Sequence, residues 1–320
     1  MRPPAGSEDA GLPARAAPGV AGTPNGASAH DSVKSQAPLS PVSSTTRGHR
    51  SAVLWTVRRR QLVEIEDLAW CPRAVRDGGT DWLAFMANST NSFAPAAPLI
   101  RRAMDAVGTS RVLDLCSGGG GPWLTLQLEL SKSGPVTVEL SDRYPNAAAL
   151  RDACRRSGGR VNFRAESIDA TNVPADVPGV RTMFNAFHHF PPEIARAILA
   201  DAVSKQRAIA IFEGVNRRAV GFGAMPFQLP AILLLTPFVR PFRWSRLFFT
   251  YVLPLIPLLV LFDGTVSFLR LYLQDDLREL VATVPGHDTF TWDVGTTMIP
   301  GLPVGLTHLV GVPRHTSAAR

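Results

Sequence analysis

The feature that most constrains the fold of this chain is a run of four consecutive glycines, residues 118–121. A short apolar run, residues 112–115, precedes it and carries one acid, Asp114. Pro122 follows and opens a second apolar run, residues 123–130, whose length suits a helix. Glycine permits a tight turn and lets backbone N–H groups approach a ligand closely, and proline is favoured in the first helical turn. The stretch therefore predicts a strand, a glycine turn and a helix, which is how nucleotide-binding α/β units begin.

Other apolar runs extend this unit into an alternation of strands and helices. The predicted further strands are residues 135–141, 161–166, 181–187 and 207–212, followed by a closing pair at residues 290–294 and 306–311. Helical spacing of apolar residues lies between the first five strands. We therefore predict an α/β fold. In full, this is a Rossmann-like, doubly wound, seven-stranded and mostly parallel sheet with helices on both faces, an N-terminal helical cap and an apolar helical insert.

The glycine stretch resembles motif I of the class I S-adenosylmethionine-dependent methyltransferases, Asp-x-Gly-x-Gly-x-Gly. It stands here as Asp114-Leu-Cys116-Ser-Gly118-Gly-Gly120, so Cys116 replaces the first glycine of the family. Cysteine is small, and we expect the turn to survive the replacement. The resemblance implies S-adenosyl-L-methionine as cofactor, with Asp114, Cys116, Gly118 and Gly120 at its binding site.

Polar residues at the ends of the next strands extend the predicted cofactor site. Asp142 ends the second strand, where a carboxylate can accept hydrogen bonds from both ribose hydroxyls. Glu139 is an alternative acid, although it lies mid-strand with opposite parity. The resemblance further implies that Asp169 and Ala170 lie at the adenine and that Asn185 lies beside the sulfonium. Ordinary turn or loop acids remain the alternative interpretation of both aspartates.

The catalytic residues are predicted less sharply, because the sulfonium of the cofactor already activates the methyl group. Glu213 ends the fifth strand and is expected either to contact an acceptor or to brace a loop. His188 and His189 are expected to start a helix or pack, with a base role for His188 as the second interpretation. Adjacent residues do not share one helix face, so we expect no metal site there.

The stretch after the fifth strand departs from a water-soluble enzyme of this type. Two apolar runs, residues 225–239 and 248–262, flank a hinge that contains Arg240, Arg243 and Arg246. As a helix each run would span roughly 22 Å, whereas a bilayer core is about 30 Å thick. We predict either a buried lid over the active site or an interfacial or re-entrant hairpin whose arginines face anionic headgroups.

Composition narrows the classes of partner. The 320 residues are 45% apolar and 18% charged, with a net charge of +7 and a pI of ≈ 10.0. A basic chain can bind nucleic acid or an anionic membrane surface. Nucleic acid is disfavoured because the sequence has neither a long Lys/Arg block nor a basic stripe interleaved with aromatic residues.

The cysteine spacing and the N-terminal sequence predict the cellular compartment. Cys71, Cys116 and Cys154 form neither a CxxC pair nor a disulfide framework, and the N-terminus lacks the apolar core of a signal peptide. We therefore expect a cytoplasmic protein that is either free or peripheral on, or re-entrant in, the inner face of the membrane.

Five segments are predicted along the chain. The first is rich in Ala, Gly, Pro and Ser and cannot bury enough apolar surface to offset its ordering entropy. The segments are a disordered tail at 1–50, a helical cap at 51–108, a methyltransferase core at 109–218, the apolar insert at 219–262 and the C-terminal part of the core at 263–315.

The predicted function is S-adenosylmethionine-dependent methyl transfer to an apolar or membrane-associated acceptor, which is a small or lipid-like molecule. One alternative is a non-catalytic, membrane-associated protein on a methyltransferase-like fold. Another is an NAD(P)-dependent oxidoreductase, but its Gly-x-Gly-x-x-Gly/Ala fingerprint fails because Trp123 or Leu124 occupies the third position.

Overall fold

The structure, a computed structural model, describes residues 59–214, 219–301 and 304–314, and the side chains of residues 219–226 lie outside that description. The predicted tail at 1–50 therefore lies outside the described residues. The helices are α1 Arg73–Ser89, α2 Ala97–Ala106, α3 Trp123–Ser131, α4 Ala147–Arg156, α5 Pro192–Ser204, α6 Ala219–Leu235, α7 Trp244–Leu247, α8 Leu255–Arg270 and α9 Gln274–Ala282.

The strands form one seven-stranded sheet in the order β3-β2-β1-β4-β5-β7-β6. Neighbouring strands are parallel from β3 to β5, and β7 runs antiparallel to both β5 and β6. This confirms the predicted seven-stranded, mostly parallel sheet. The strands are β1 Arg111–Asp114, β2 Thr137–Leu140, β3 Val161–Phe163, β4 Val180–Phe184, β5 Ile209–Gly214, β6 Phe290–Met298 and β7 Gly305–Pro313.

Helices cover both faces of the sheet, as predicted. Alternate residues of each strand point to opposite faces, so β1 sends Val112 to one apolar cluster and Leu113 to the other. The first cluster is closed by α2 and α3, with Met104 and Trp123 fully buried. The second is closed by α5 and α9. The core therefore lies on both sides of β1, β4 and β5.

The apolar insert forms a separate cluster with the N-terminal helix. α6 and α8 pack against each other, and α8 also packs along α1. The approach of α1 to α8 is close because α1 carries two glycines: a Cβ on Gly79 would lie 2.7 Å from Leu259 Cδ2. The predicted end of the insert at 262 falls inside α8, which continues to Arg270.

Candidate functional site

The carboxyl ends of β1 and β2 bring the glycine turn and Asp142 together. The backbone N–H of Gly118 donates to Asp142 Oδ2 at 2.9 Å, and the N–H of Tyr144 donates to Oδ1 at 2.8 Å. Asp142 is half-buried, so its carboxylate is fixed but still reachable from solvent. This is the edge at which open α/β sheets bind ligands. Glu139, the alternative acid, is instead 2.9 Å from Arg164.

The glycine turn depends on backbone conformations that most residues avoid. Gly118, Gly120 and Gly121 have φ of 50°, 101° and 54°. Cys116 adopts φ 57° although it is not glycine, so the turn survives the replacement at the cost of local strain. Burial and the nearby carboxylates of Asp142 and Asp114 raise the pKa of the Cys116 thiol well above its usual value. The thiol therefore remains protonated.

Asp114 supports the turn from inside the sheet. It is 1% exposed and accepts hydrogen bonds from Ser117 Oγ at 2.6 Å and Thr182 Oγ1 at 2.7 Å. Burial raises the pKa of Asp114 to about 7. Both carboxylate oxygens are thus engaged within the protein, which indicates a bracing role. A direct contact with the cofactor stays a prediction.

The loop after β3 adjoins the same edge. The N–H of Ile168 donates to the Asp142 carbonyl at 3.0 Å, which places Asp169 close to the β2 end. Asp169 binds Thr171 Oγ1 at 2.7 Å and Arg143 at 3.3 Å, and the bonds from Thr171 hold the pKa of Asp169 below its usual value. Ala170 is 6% exposed and packs in the core, and its contact with the cofactor stays a prediction.

Asn185 marks the end of β4. It is exposed, with φ 47°, and its Oδ1 accepts a hydrogen bond from the N–H of Gly214 at 2.7 Å. A non-glycine residue at positive φ is uncommon, and such strained residues concentrate at functional sites. The predicted cofactor residues of β1, β2, β3 and β4 are therefore brought to one edge of the sheet.

Glu213 braces the turn after β4, the second of the two roles that the sequence left open. It is 2% exposed. Its Oε1 accepts from the N–H groups of Phe187 and His188 at 2.8 and 3.2 Å, and its Oε2 lies 2.6 Å from His188 Nδ1. His188 is 4% exposed, and its Nε2 lies 3.8 Å from Glu64 Oε1. The base role of His188 and the acceptor contact of Glu213 stay predictions.

Sequence reasoning missed the residues that surround these histidines. We call Glu64, Glu66, Asp67, His188, His189, Glu213 and Arg270 the histidine cluster. The N-terminal segment, residues 59–68, contributes three of its acids. Ile65 and Glu66 hold that segment in place, because their N–H groups donate to the Asp263 carboxylate at 2.7 and 3.0 Å.

His189 is the imidazole of this cluster that three carboxylates surround, those of Glu64, Glu66 and Asp67. Burial alone would lower its pKa, but the hydrogen bond with Asp67 and the charges of Glu64 and Glu66 outweigh that effect and raise the pKa to about 9. The acids at 64, 66 and 67 form a visible pattern in the sequence. Nothing in the local pattern links it to residues more than a hundred positions away.

The prediction that all three hinge arginines face anionic headgroups is wrong for two of them. Arg243 and Arg246 do not face outward: Arg243 Nε lies 3.1 Å from Asp81, and Arg246 also pairs with Asp81 and is 2% exposed. Arg243 reaches Asn146 Oδ1 at 3.1 Å as well. Of the three arginines, Arg240 alone is exposed. The reason is that α1 presents acids to the hinge, so charge pairing inside the protein takes precedence.

The outer surface of the insert is apolar. Most of the exposed large apolar side chains in the described residues lie in it, and they are Phe227, Leu229, Leu233, Leu234, Phe238, Phe242, Trp244, Phe248, Tyr251, Val252, Leu253, Leu258 and Phe262. Two of these side chains are large aromatic rings that are more than 70% exposed, Phe227 at 74% and Trp244 at 77%. Large exposed apolar patches on monomeric proteins mark sites of interaction with a protein, a ligand or a membrane.

The helices of the insert are short. Among the described residues, no single helix is both long and apolar enough to cross a bilayer. One bent pair, Trp244–Val252 and Leu255–Arg270 at 80° to each other, reaches the required length and composition when the two are taken together.

The insert also reaches the glycine turn. A cavity of ≈ 350 Å³ lies between α1, α3, α4 and the insert. Gly119, Gly120 and Gly121 line it on one side, and Phe238 and Arg240 of the insert line it on another. The predicted cofactor turn and the apolar insert therefore share one cavity.

The sheet order, the antiparallel closing strand and the glycine turn together define the fold of a class I S-adenosylmethionine-dependent methyltransferase, as motif I predicted. No protein-family model matches the sequence. No curated protein matches it either.

Several solved structures are similar to the chain. One is an O-methyltransferase from neocarzinostatin biosynthesis in complex with S-adenosylmethionine and 2-hydroxy-5-methyl naphthoic acid. It is 14% identical, with 76% of this chain and 59% of that chain covered and a TM-score of 0.44. Another is an O-methyltransferase family protein from Burkholderia thailandensis, at 16% identity, 73% and 58% coverage and a TM-score of 0.41.

A third is magnesium protoporphyrin IX methyltransferase from Synechocystis PCC 6803 with bound S-adenosylmethionine, at 14% identity, 71% and 82% coverage and a TM-score of 0.38. This chain spans less than two thirds of the length of the first two proteins. The fold class rests on the chain's own sheet.

Proposed function

We propose that this chain is an S-adenosylmethionine-dependent methyltransferase. The observation that carries the proposal is the hydrogen bond between the Gly118 N–H and Asp142, which joins the glycine turn to an acid at the end of the neighbouring strand. A fixed carboxylate there suits the two ribose hydroxyls of an adenosyl group. The chain's own contribution to the reaction is to position methyl donor and acceptor in line and to exclude water.

Calorimetry tests the cofactor. We expect binding of S-adenosylmethionine and no binding of NADH, and we expect Asp142→Ala to weaken binding by roughly 1–3 kcal/mol because the ribose hydroxyls lose their acceptor. Asp105→Ala, which removes an exposed acid on α2, is the matched control and should bind like the parent. Unchanged affinity in folded Asp142→Ala would remove Asp142 from the site.

The same titrations separate the alternative functions. Binding of NADH in place of S-adenosylmethionine would favour the oxidoreductase. Binding of neither nucleotide would favour the non-catalytic protein on a methyltransferase-like fold.

We further propose that the acceptor is apolar or membrane-associated and approaches through the insert. Two observations support this: the apolar outer surface of the insert and the cavity that it shares with the glycine turn. Since Arg243 and Arg246 are paired inside the protein, attachment to a lipid surface would depend on apolar side chains. We therefore expect it to depend only weakly on salt.

Vesicle flotation tests the membrane part. We expect the protein to float with phosphatidylcholine vesicles, with or without anionic lipid, and the triple variant Phe227→Ser, Trp244→Ser, Leu258→Ser to remain in solution. The matched control replaces exposed apolar residues outside the insert, Leu128→Ser, Ile194→Ser and Met298→Ser. A wild-type protein that never floats would leave the insert as a lid over the site.

A further inference from the structure

The histidine cluster brings metal-ligating atoms together in a buried place. One oxygen of Glu64 and one ring nitrogen each of His188 and His189 all lie within 4.8 Å of one another. Glu64 is 0% and His188 4% exposed. We propose that these three residues bind a divalent first-row transition-metal ion, with Asp67 as the fourth ligand. The inference does not depend on the proposed methyl transfer.

His188 is oriented as a metal ligand would be. Its Nδ1 lies 2.6 Å from Glu213 Oε2 and donates to that carboxylate, which leaves Nε2 as the nitrogen available to a metal. Among the described residues, Nε2 has no hydrogen-bond partner although it is buried. Metal-ligating histidines almost always donate their other ring N–H to a carboxylate or carbonyl in this way.

Glu64 has one oxygen engaged and one free to ligate. Its Oε1 accepts from Ser267 Oγ at 2.9 Å and lies 3.2 Å from Arg270 Nη1. Its Oε2 is buried, accepts no hydrogen bond in the described part of the chain and lies 3.3 Å from His189 Nδ1. A buried carboxylate oxygen without a donor is costly, and a bound cation would remove that cost.

The carboxylate of Asp67, like that of Glu64, has one oxygen at Arg270 and the other at His189. Oδ2 lies 2.8 Å from Arg270 Nη1, and Oδ1 lies 3.1 Å from His189 Nδ1. Arg270 therefore holds one oxygen of each carboxylate and leaves the other directed at His189. The second nitrogen of His189, Nε2, lies 3.7 Å from Glu66 Oε1. In each histidine, a carboxylate therefore lies near the ring nitrogen that would not bind the metal.

The charges of the cluster favour a cation. Among the described residues, four carboxylates, those of Glu64, Glu66, Asp67 and Glu213, lie within 4.0 Å of the two imidazoles, and Arg270 pairs with two of these acids. A divalent ion would offset the excess of negative charge. Two imidazoles with carboxylates suit Zn²⁺ or Fe²⁺, whereas Mg²⁺ and Ca²⁺ prefer ligand sets made of oxygen alone.

The ion would join two distant parts of the chain. Glu64 and Asp67 belong to the N-terminal segment, and the histidines lie in the turn after β4, three residues beyond Asn185. The metal would therefore fix the N-terminal segment beside the predicted cofactor site. The competing arrangement has a proton on His189 in place of the ion, with the same carboxylates around it.

A cobalt titration of the full chain distinguishes the two arrangements. Protein stripped with a chelator and dialysed should bind one equivalent of Co²⁺ per chain, with the intense visible bands of a four-coordinate site, and Zn²⁺ should displace it. Metal content measured by mass spectrometry should then give one Zn²⁺ per chain. The absence of stoichiometric binding to the wild-type protein would overturn the proposal and leave a protonated His189.

Variants locate the site. Glu64→Gln and His189→Ala should each weaken binding by at least tenfold, and Glu213→Gln by about 10- to 100-fold, because it loses the group that orients His188. His287→Ala removes a half-buried histidine outside the cluster and should bind like wild type. Circular dichroism checks that each variant folds. Full binding by folded Glu64→Gln and His189→Ala would place the metal elsewhere and refute the assignment, and the wild-type titration decides independently if a variant fails to fold.

Discussion

At the scale of single residues, Gly119 shows why the turn has four glycines. A Cβ at this position would lie 2.7 Å from the backbone oxygen of Thr80 on α1. The other three glycines relieve backbone strain, since their φ values are positive. Gly119 instead leaves room for a neighbouring helix.

We expect Gly119→Ala to lower the free energy of unfolding by about 1–3 kcal/mol, because a backbone atom cannot yield as a side-chain end can. Thermal or urea denaturation measures the change. Gly264→Ala is the matched control, since the atom nearest to its added Cβ is Gln228 Oε1 at 3.8 Å. It should be neutral or stabilise α8 by about 0.5–1 kcal/mol. Equal stability of the two variants would contradict the close approach of α1.

The residues of the cofactor edge were predictable because their signals are local. A glycine turn after a strand and an acid at the end of the next strand are read from neighbouring positions, and both predicted partners meet in the Gly118–Asp142 contact. Asp114 was predicted at the cofactor site, and a direct contact stays a prediction, but its enclosure by Ser117 and Thr182 was not visible in the sequence. Sequence parity places a side chain on a face of a sheet, but it does not show which side chains of the turn and of the neighbouring strand enclose it.

At the scale of elements, α1 is held from two sides. One side faces the glycine turn through Thr80, and the other faces the insert through Gly79 and the Asp81 carboxylate. Burial raises the pKa of Asp81 to about 6, against the opposing effect of Arg246 and Arg243. The two arginines therefore serve to keep a buried carboxylate compensated.

We expect Arg246→Ala to destabilise the protein by about 3–5 kcal/mol, near the lower end because Arg243 still contacts Asp81. Arg240→Ala, at the exposed position of the same hinge, should change stability by no more than about 0.5 kcal/mol. Chemical denaturation of both variants decides. A small effect of Arg246→Ala would mean that the ion pair contributes little to docking of the insert.

Elements were predicted better than their partners. All seven strands follow from alternation and from short apolar runs, because a buried parallel strand shows itself within a few residues. The orientation of Arg243 and Arg246 did not follow, because their partners lie on α1, more than 160 positions earlier. An arginine beside apolar residues looks the same in sequence whether it faces a lipid headgroup or a carboxylate of the same chain.

At the scale of the whole molecule, Arg59 begins the first described range and binds the C-terminal end of α8. Its Nε donates to the Arg270 carbonyl at 2.8 Å, and the N–H of Arg60 donates to the Leu269 carbonyl at 2.9 Å. We expect a chain that begins at Ser51 to keep the melting temperature of the parent within error. The reason is the composition of residues 1–50, which offers little apolar surface to bury.

A chain that begins at Ala69 is the matched comparison. It should melt at a much lower temperature, because Arg270, which is 2% exposed, would lose both Glu64 and Asp67. Differential scanning calorimetry of the three proteins measures both changes. A large drop for the first truncation would show that residues 1–50 stabilise the fold.

Helix α1 lies between the glycine turn and the apolar insert, so binding at one of these sites could be coupled to binding at the other. The Thr80 backbone lies against the turn at Gly119, and Gly79 leaves room for the Leu259 side chain of α8, so α1 contacts both the turn and the insert. If α1 shifts as a rigid rod when the insert engages a surface, the turn must shift with it. Thermodynamic reciprocity then requires that nucleotide bound at the turn alter the affinity of the insert for that surface by the same factor as the surface alters the affinity for nucleotide. Two titrations, each run with and without the other ligand, would give one coupling constant, and a constant of one would mean that α1 transmits nothing.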